Sequence, residues 1–140
     1  MKENFLESVF KSAKSLYNTL PLILGTILFV SLILVIIPNS FYVNVFRNSF
    51  LDPLIGSLIG SISAGNPITS YIIGGELLEQ GISLVAVTAF IVAWVTVGII
   101  QLPAEAMILG RKFAILRNLN AFIFSVIVAI LTVLFLGVLA

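Results

Sequence analysis

Apolar residues recur at spacings of three and four from Phe5 to Leu20, through Leu6, Val9, Phe10, Ala13, Leu16 and Tyr17. Lys2, Glu3, Glu7, Lys11, Ser12, Lys14 and Ser15 fill the other face. This period predicts a basic amphipathic helix over 1–19, suited to the lipid headgroup level. A gating or docking helix would carry the same pattern. A secretory signal peptide fits less well, because the polar lead-in is long and no small-x-small cleavage site follows. From Leu20 to Ile37 the alternation gives way to an aliphatic run that ends at Pro38-Asn39. About 18 residues at a helical rise reach roughly 27 Å, enough to cross a bilayer, so 20–37 is expected to span. Phe41, Tyr42, Phe46 and Phe50 then stand among Asn and Ser, a mixture typical of the membrane interface.

The next apolar tract is interrupted at its centre. It opens with Asp52-Pro53, a cap residue followed by Pro, and its middle contains Gly65-Asn66-Pro67. Pro67 lacks an amide donor and disfavours a helical Asn66, so the tract should split into two short helices, about 52–63 and 67–80. At roughly 18 and 21 Å, neither half can cross a bilayer alone. Residues 82–102 lie in a long uncharged tract and are expected to form the next crossing. Pro103-Ala104-Glu105 reads as the first turn of a short helix ending at Gly110, and 118–140 as the last crossing.

Composition agrees with that pattern. Of 140 residues 60% are apolar and only 9% charged, and the mean hydropathy is +1.22. A soluble domain carries about 25% charged residues, so a water-covered surface is excluded. No Cys and no His are present, which removes thiolate metal sites, thiol nucleophiles and the commonest general base. The net charge of +1 leaves no basic surface for nucleic acid. An enzyme, a metal and a cofactor are not expected.

The charges also bear on topology. Lys2, Lys11 and Lys14 precede the first crossing, and Arg111, Lys112 and Arg117 lie between the last two. If the broken tract returns to the side it entered, as a re-entrant hairpin, only Arg47 of the basic residues is external, which the positive-inside rule favours. The competing arrangement is a full span with balanced charge and dual topology.

The break is the best candidate site. Unpaired backbone at membrane depth is tolerated only where protein buries it or water reaches it, and transporters use such breaks to bind solutes. Ser61, Ser63, Gly65, Asn66, Pro67, Thr69 and Ser70 are therefore the substrate-binding candidates. The alternative is a kinked helix whose hydroxyls bond back to their own carbonyls. Gly56, Gly60 and Ala64 form a small-residue row for close helix packing, and Ala86, Ala89 and Ala93 another. Glu76 and Glu105 are coupling or gating candidates together with Arg111. Glu76, beside Glu79 and Gln80, also suits a solvated turn, and Glu105 an ion pair with Arg111 or Lys112. Trp94 reads as a packing residue.

The run Gly60-Ser-Ile-Ser-Ala-Gly-Asn-Pro67, then Gly74-Gly-Glu-Leu-Leu-Glu-Gln-Gly-Ile-Ser83, then Ala89-Phe-Ile-Val-Ala-Trp94 resembles one repeat of the predicted permease family that includes organoarsenical efflux permeases. The resemblance covers roughly residues 54–117. It implies a permease fold of repeated halves with a site at the broken helices, and a chain of about half the family's length. The family's turn often carries Cys where this chain has Ser61 and Ser63, so thiol-dependent arsenic handling is not implied. A weaker similarity is to the nucleoside-recognition gate membrane proteins.

The expectation is an all-α integral membrane protein in the cytoplasmic membrane of a prokaryote. It should have an N-terminal amphipathic helix and three or four transmembrane segments, one of them a broken helix or re-entrant hairpin. As a half-transporter it should pass a small solute or ion and form a homodimer or higher homo-oligomer in the bilayer. The rival is a non-transporting scaffold or assembly subunit whose Gly rows bind partner helices.

Overall fold

The structure is a computed structural model and describes residues 2–36, 40, 44–46, 48, 50–63 and 65–139. Ala64 and Arg47 fall outside them, as does most of the aromatic connection before Phe50. Every described element is helical, with no strand among the described residues. The chain divides into two units, Met1–Ile37 and Pro38–Ala140.

The first unit is one helix, α1 (Lys2–Ile36). The amphipathic and aliphatic halves expected as separate segments are continuous, with Pro21 inside. On its polar face Glu7 and Lys11 form an exposed ion pair at 2.7 Å.

The second unit contains α2 (Asp52–Ile62), α3 (Pro67–Glu79), α4 (Leu84–Thr96), α5 (Leu102–Leu109) and α6 (Arg111–Leu139). Asp52 is the first helical residue and not the cap. Its carboxylate turns back to accept the Asn48 amide at 3.2 Å, and Leu51 takes the cap position. At α3, Asn66 does cap, its side chain accepting the Ile68 amide at 3.0 Å. A Schellman turn closes α3, with Gly81 at φ 83 and the Ile82 amide on the Leu77 carbonyl at 3.1 Å. Ser83 caps α4 through the Ala86 amide.

Among the described residues, α6 is the one helix long and apolar enough by itself to cross a membrane. The expected crossing at 82–102 is not one helix. α4 stops at Thr96, after 13 residues, and a non-helical segment reaches α5 at Leu102. Hydropathy reads side chains and is blind to where the backbone leaves the helix.

α4 organises the second unit, with α2, α3 and α6 all packed on it and α5 on α6. The directions follow from the glycines. A methyl group at Gly56 would stand 2.2 Å from the Ala86 carbonyl oxygen, and one at Gly60 2.3 Å from that of Phe90, so α2 runs parallel to α4 with backbones touching. Gly65 meets the Trp94 ring, and Gly74 meets Val87 and Ile91. Residues 56 and 74 thus sit at the same level of α4. The chain turns back at Gly65-Asn66-Pro67, and α3 runs antiparallel to α4 on an adjacent face. Ser57 bonds Ser125 and Gly98 bonds Asn118, so α6 is antiparallel to α4.

The interior holds a few larger apolar side chains, Ile82, Val87, Phe90 and Val97, and is otherwise built from small and polar residues. Ala86, Ala89, Ala93, Ala114 and Ala129 are buried with Ser57, Ser61, Ser70, Ser125 and Asn118. Large aliphatic and aromatic side chains, Leu58, Ile62, Tyr71, Phe124 and Phe135 among them, face outward.

Candidate functional site

α2 and α4 are parallel in the register 56/86 and 60/90, so their C-terminal ends lie within about one helical turn of each other, and each opens there into non-helical backbone. Ser63, Gly65 and Pro67 of the first break face Trp94, Val95 and the segment Val97–Gln101 of the second. Between them is a cavity of about 220 Å³. The Trp94 indole N–H donates to the Gly65 carbonyl at 3.4 Å and ties the breaks together. Its ring meets Phe90 edge to face at 5.4 Å.

The two breaks are held differently. The first is local: Asn66 caps α3 and Pro67 starts it. The second is fixed from a distance. The Gly98 amide, which would close the next turn on the Trp94 carbonyl, donates to Asn118 Oδ1 at 2.7 Å instead. The Asn118 amide nitrogen donates to Glu105 Oε2 at 3.1 Å and to the Ala114 carbonyl at 2.9 Å. Glu105 is also paired with Arg117. The polar cluster Glu105, Arg117 and Asn118 thus joins α5 and α6 to the cavity wall.

The structure divides the sequence-derived candidates. Ser63, Gly65 and Pro67 line the cavity. Asn66 is a helix cap beside it. Thr69 is half-buried one turn into α3. Ser61 and Ser70 are buried in helix contacts, donating to the Ser57 and Pro67 carbonyls at 2.6 and 2.7 Å. Ser63 likewise bonds back to the Ile59 carbonyl at 2.8 Å. Back-bonding saturates each hydroxyl's proton and leaves its lone pairs. Gly56 and Gly60 pack, but against α4 of the same chain.

Glu76 is half-buried on α3, away from the cavity lining. Glu105 takes Arg117 as its partner rather than Arg111 or Lys112, because Gly110, at φ 89, folds α5 back along α6. Arg111 is exposed and borders an apolar groove with Met107 and Ile115.

Sequence reasoning missed Asn118, Gly98 and Gln101, and the interhelical hydroxyl pair of Ser57 and Ser125 at 2.8 Å. Ser125 already donates to the Phe122 carbonyl, so Ser57 is the donor in that pair. An Asn at the start of an uncharged run, with Asn120 two residues on, was the available signal for Asn118. Among the described residues no buried side-chain nitrogen or oxygen lacks a partner, and none form a cluster of acidic residues able to hold a metal ion. No family model, curated protein or solved structure matches the chain.

Proposed function

We propose that the chain is a small membrane permease, half of a two-part transporter, that passes a small solute or ion through the cavity between its two helix breaks. The observation that carries this reading is the convergence on one cavity of two stretches outside the helices, Ser63, Gly65 and Asn66 with the start of α3 at Pro67, and the segment 97–101. One break alone could be a packing defect. Two at one level leave backbone polar groups facing a shared space, as in transporters built from discontinuous helices.

The distribution of side chains supports the bilayer as solvent. Water would draw Leu58, Phe124 and Phe135 inward, whereas they are outside and serines are inside. The length and apolarity of α6 agree. With the chain reversed at Gly65-Pro67, α2 and α3 form a re-entrant hairpin, and the positive-inside rule then favours a cytoplasmic Arg111, Lys112 and Arg117. The same residues carry the resemblance to the permease family of organoarsenical efflux proteins, and a prokaryotic cytoplasmic membrane follows from that reading. One cavity beside four helices does not enclose a path to both faces, so the working unit is a homodimer or higher homo-oligomer.

The saturated hydroxyls of Ser61, Ser63 and Ser70 favour the second reading, a scaffold whose break is only a turn. Flux separates the two. Gly98→Val points bulk at the flexible Gln101 side chain, 3.1 Å away, and narrows the cavity without touching a helix interior. Reconstituted into liposomes, the permease should lose solute uptake with this variant while its melting temperature in detergent stays unchanged. Uptake no greater than in protein-free liposomes across cations, anions and neutral solutes would favour the scaffold.

A further inference from the structure

We propose that the groove between α5 and α6 holds one anionic phospholipid, its headgroup on Arg111 and an acyl chain along the α5 wall. This rests on the bilayer placement of α6 proposed above and not on transport.

The shape of the groove matches such a molecule. Leu102, Pro103, Ala106 and Met107 of α5 line it together with Arg111 and Ile115 of α6. The turn at Gly110 folds α5 back along α6, and the pair of Glu105 with Arg117 fixes the antiparallel register. Arg111 therefore lies at the turn end of the groove, Met107 and Ile115 come next, and Leu102 and Pro103 lie farthest from it. With 29 residues, α6 is about 43 Å long, close to the roughly 40–45 Å of a bilayer with its headgroups. Arg111, its first residue, then stands among the headgroups. The eight residues of α5 carry the groove about 12 Å inward, toward the acyl chains. A cation at the mouth and an apolar floor below it repeat the polarity of a phospholipid.

The charges select the head. Arg111 and Lys112 are both exposed, and neither has a carboxylate partner among the described residues. Glu105, the nearest acid along the chain, is taken by Arg117, and no acidic side chain lines the groove. A net-negative head meets two unpaired cations, whereas a zwitterionic lipid would set its own ammonium group against them. Basic pockets between membrane helices bind anionic headgroups in this way. An inorganic anion would answer the charge but not the groove, whose space of about 630 Å³ is many times the roughly 30 Å³ of a water molecule. Met107, 88% exposed, is a flexible side chain suited to settle against an acyl chain.

The purified full chain in mild detergent should melt at a higher temperature with added dioleoyl-phosphatidylglycerol than with dioleoyl-phosphatidylcholine at the same mole fraction, by mass action. Arg111→Gln should weaken the apparent affinity for phosphatidylglycerol about fivefold, and Arg111→Lys should keep most of it. Lys14→Gln, at an exposed cation on α1, should leave it unchanged. Ala106→Phe, which fills the groove, should abolish the preference for the charged lipid. Equal shifts with the two lipids, or equal losses at Lys14 and Arg111, would overturn the site. So would a shift of the same size from inorganic phosphate alone, which would mark a bare anion site. A change of oligomeric mass in Ala106→Phe with the lipid response intact would give the groove to a second copy of the chain and overturn it as well. None of these outcomes bears on solute uptake, and the bilayer placement fails separately, if the chain stays dissolved once detergent is removed.

Discussion

The two helix breaks face the same cavity but are made in opposite ways. The break at Gly65 is written where it occurs: Asn66 caps, Pro67 starts, and a residue's neighbours decide its conformation. The break at Val97–Gln101 is fixed 20 positions away, by Asn118 reaching across from α6 to the Gly98 amide. Val95, Thr96 and Val97 disfavour the helix mildly. The decisive term is an amide that gains a side-chain acceptor in place of a carbonyl. A chain can open a helix with a local breaker or with a remote partner, and only the first leaves a mark in the neighbouring residues.

The contact between α2 and α4 keeps the two breaks together, so its loss should have the largest effect. Gly60→Leu drives a branched side chain into the Phe90 carbonyl, where even a methyl group would stand at 2.3 Å. Destabilisation of about 3 kcal/mol or more is expected, read as the denaturant midpoint in mild detergent. Gly75→Ala, with nothing within 4 Å, should instead stabilise by about 0.5–1 kcal/mol on helix propensity alone. Equal effects at the two glycines would break the packing argument.

Next come the two breaks themselves. Asn118→Leu matches the volume but strands the Gly98 amide and removes a donor from Glu105, at a cost of about 1–3 kcal/mol. Asn66→Ala removes one cap and should cost about 1 kcal/mol. Thermal melts of both variants test the order. A larger loss at Asn66 would mean that the second break is also set locally. Ser57→Ala, which removes the donor to Ser125, should cost about 0.6 kcal/mol, the average for such bonds between membrane helices. The smallest effect belongs to Arg117→Gln. The guanidinium is 40% exposed, so the loss should stay below about 0.5 kcal/mol and shrink as salt is raised.

Much of the fold was legible because it depends on neighbours. The starts of α3 and α5 follow from Pro67 and Pro103, and the ends of α3 and α5 from Gly81 and Gly110, where a positive φ favours glycine. The small-residue row at Gly56 and Gly60 announced a close backbone contact, though not that its partner would be α4. Asp52 was misread as a cap, since its carboxylate serves an amide behind it. The site was legible by half. Ser63, Gly65 and Pro67 reach the cavity, whereas Ser61 and Ser70 turn into helix contacts. The opposite wall stayed hidden, because an uncharged Val- and Ile-rich tract shows no sign that an amide inside it is taken by Asn118. Glu105 looked nearest to Arg111 along the chain, and the turn at Gly110 brings Arg117 instead.

The reversal at Gly65-Asn66-Pro67 brings the two breaks to one level, and a distance can test it. The chain has no Cys, so paired Cys substitutions at Leu51 and Glu79, both exposed, would carry spin labels at unique positions. The labelled protein, diluted with unlabelled chain, gives the intramolecular distance by electron double resonance. With α2 and α3 on adjacent faces of α4, at helix spacings of 8–10 Å each, the backbones at these positions should lie within about 20 Å. A kinked but continuous helix would place them about 42 Å apart along its axis. A distribution centred near 20–25 Å, allowing about 5 Å for the labels beyond the helix spacing, is the predicted result, and one centred near 40 Å, the span of an unreversed helix, would contradict it.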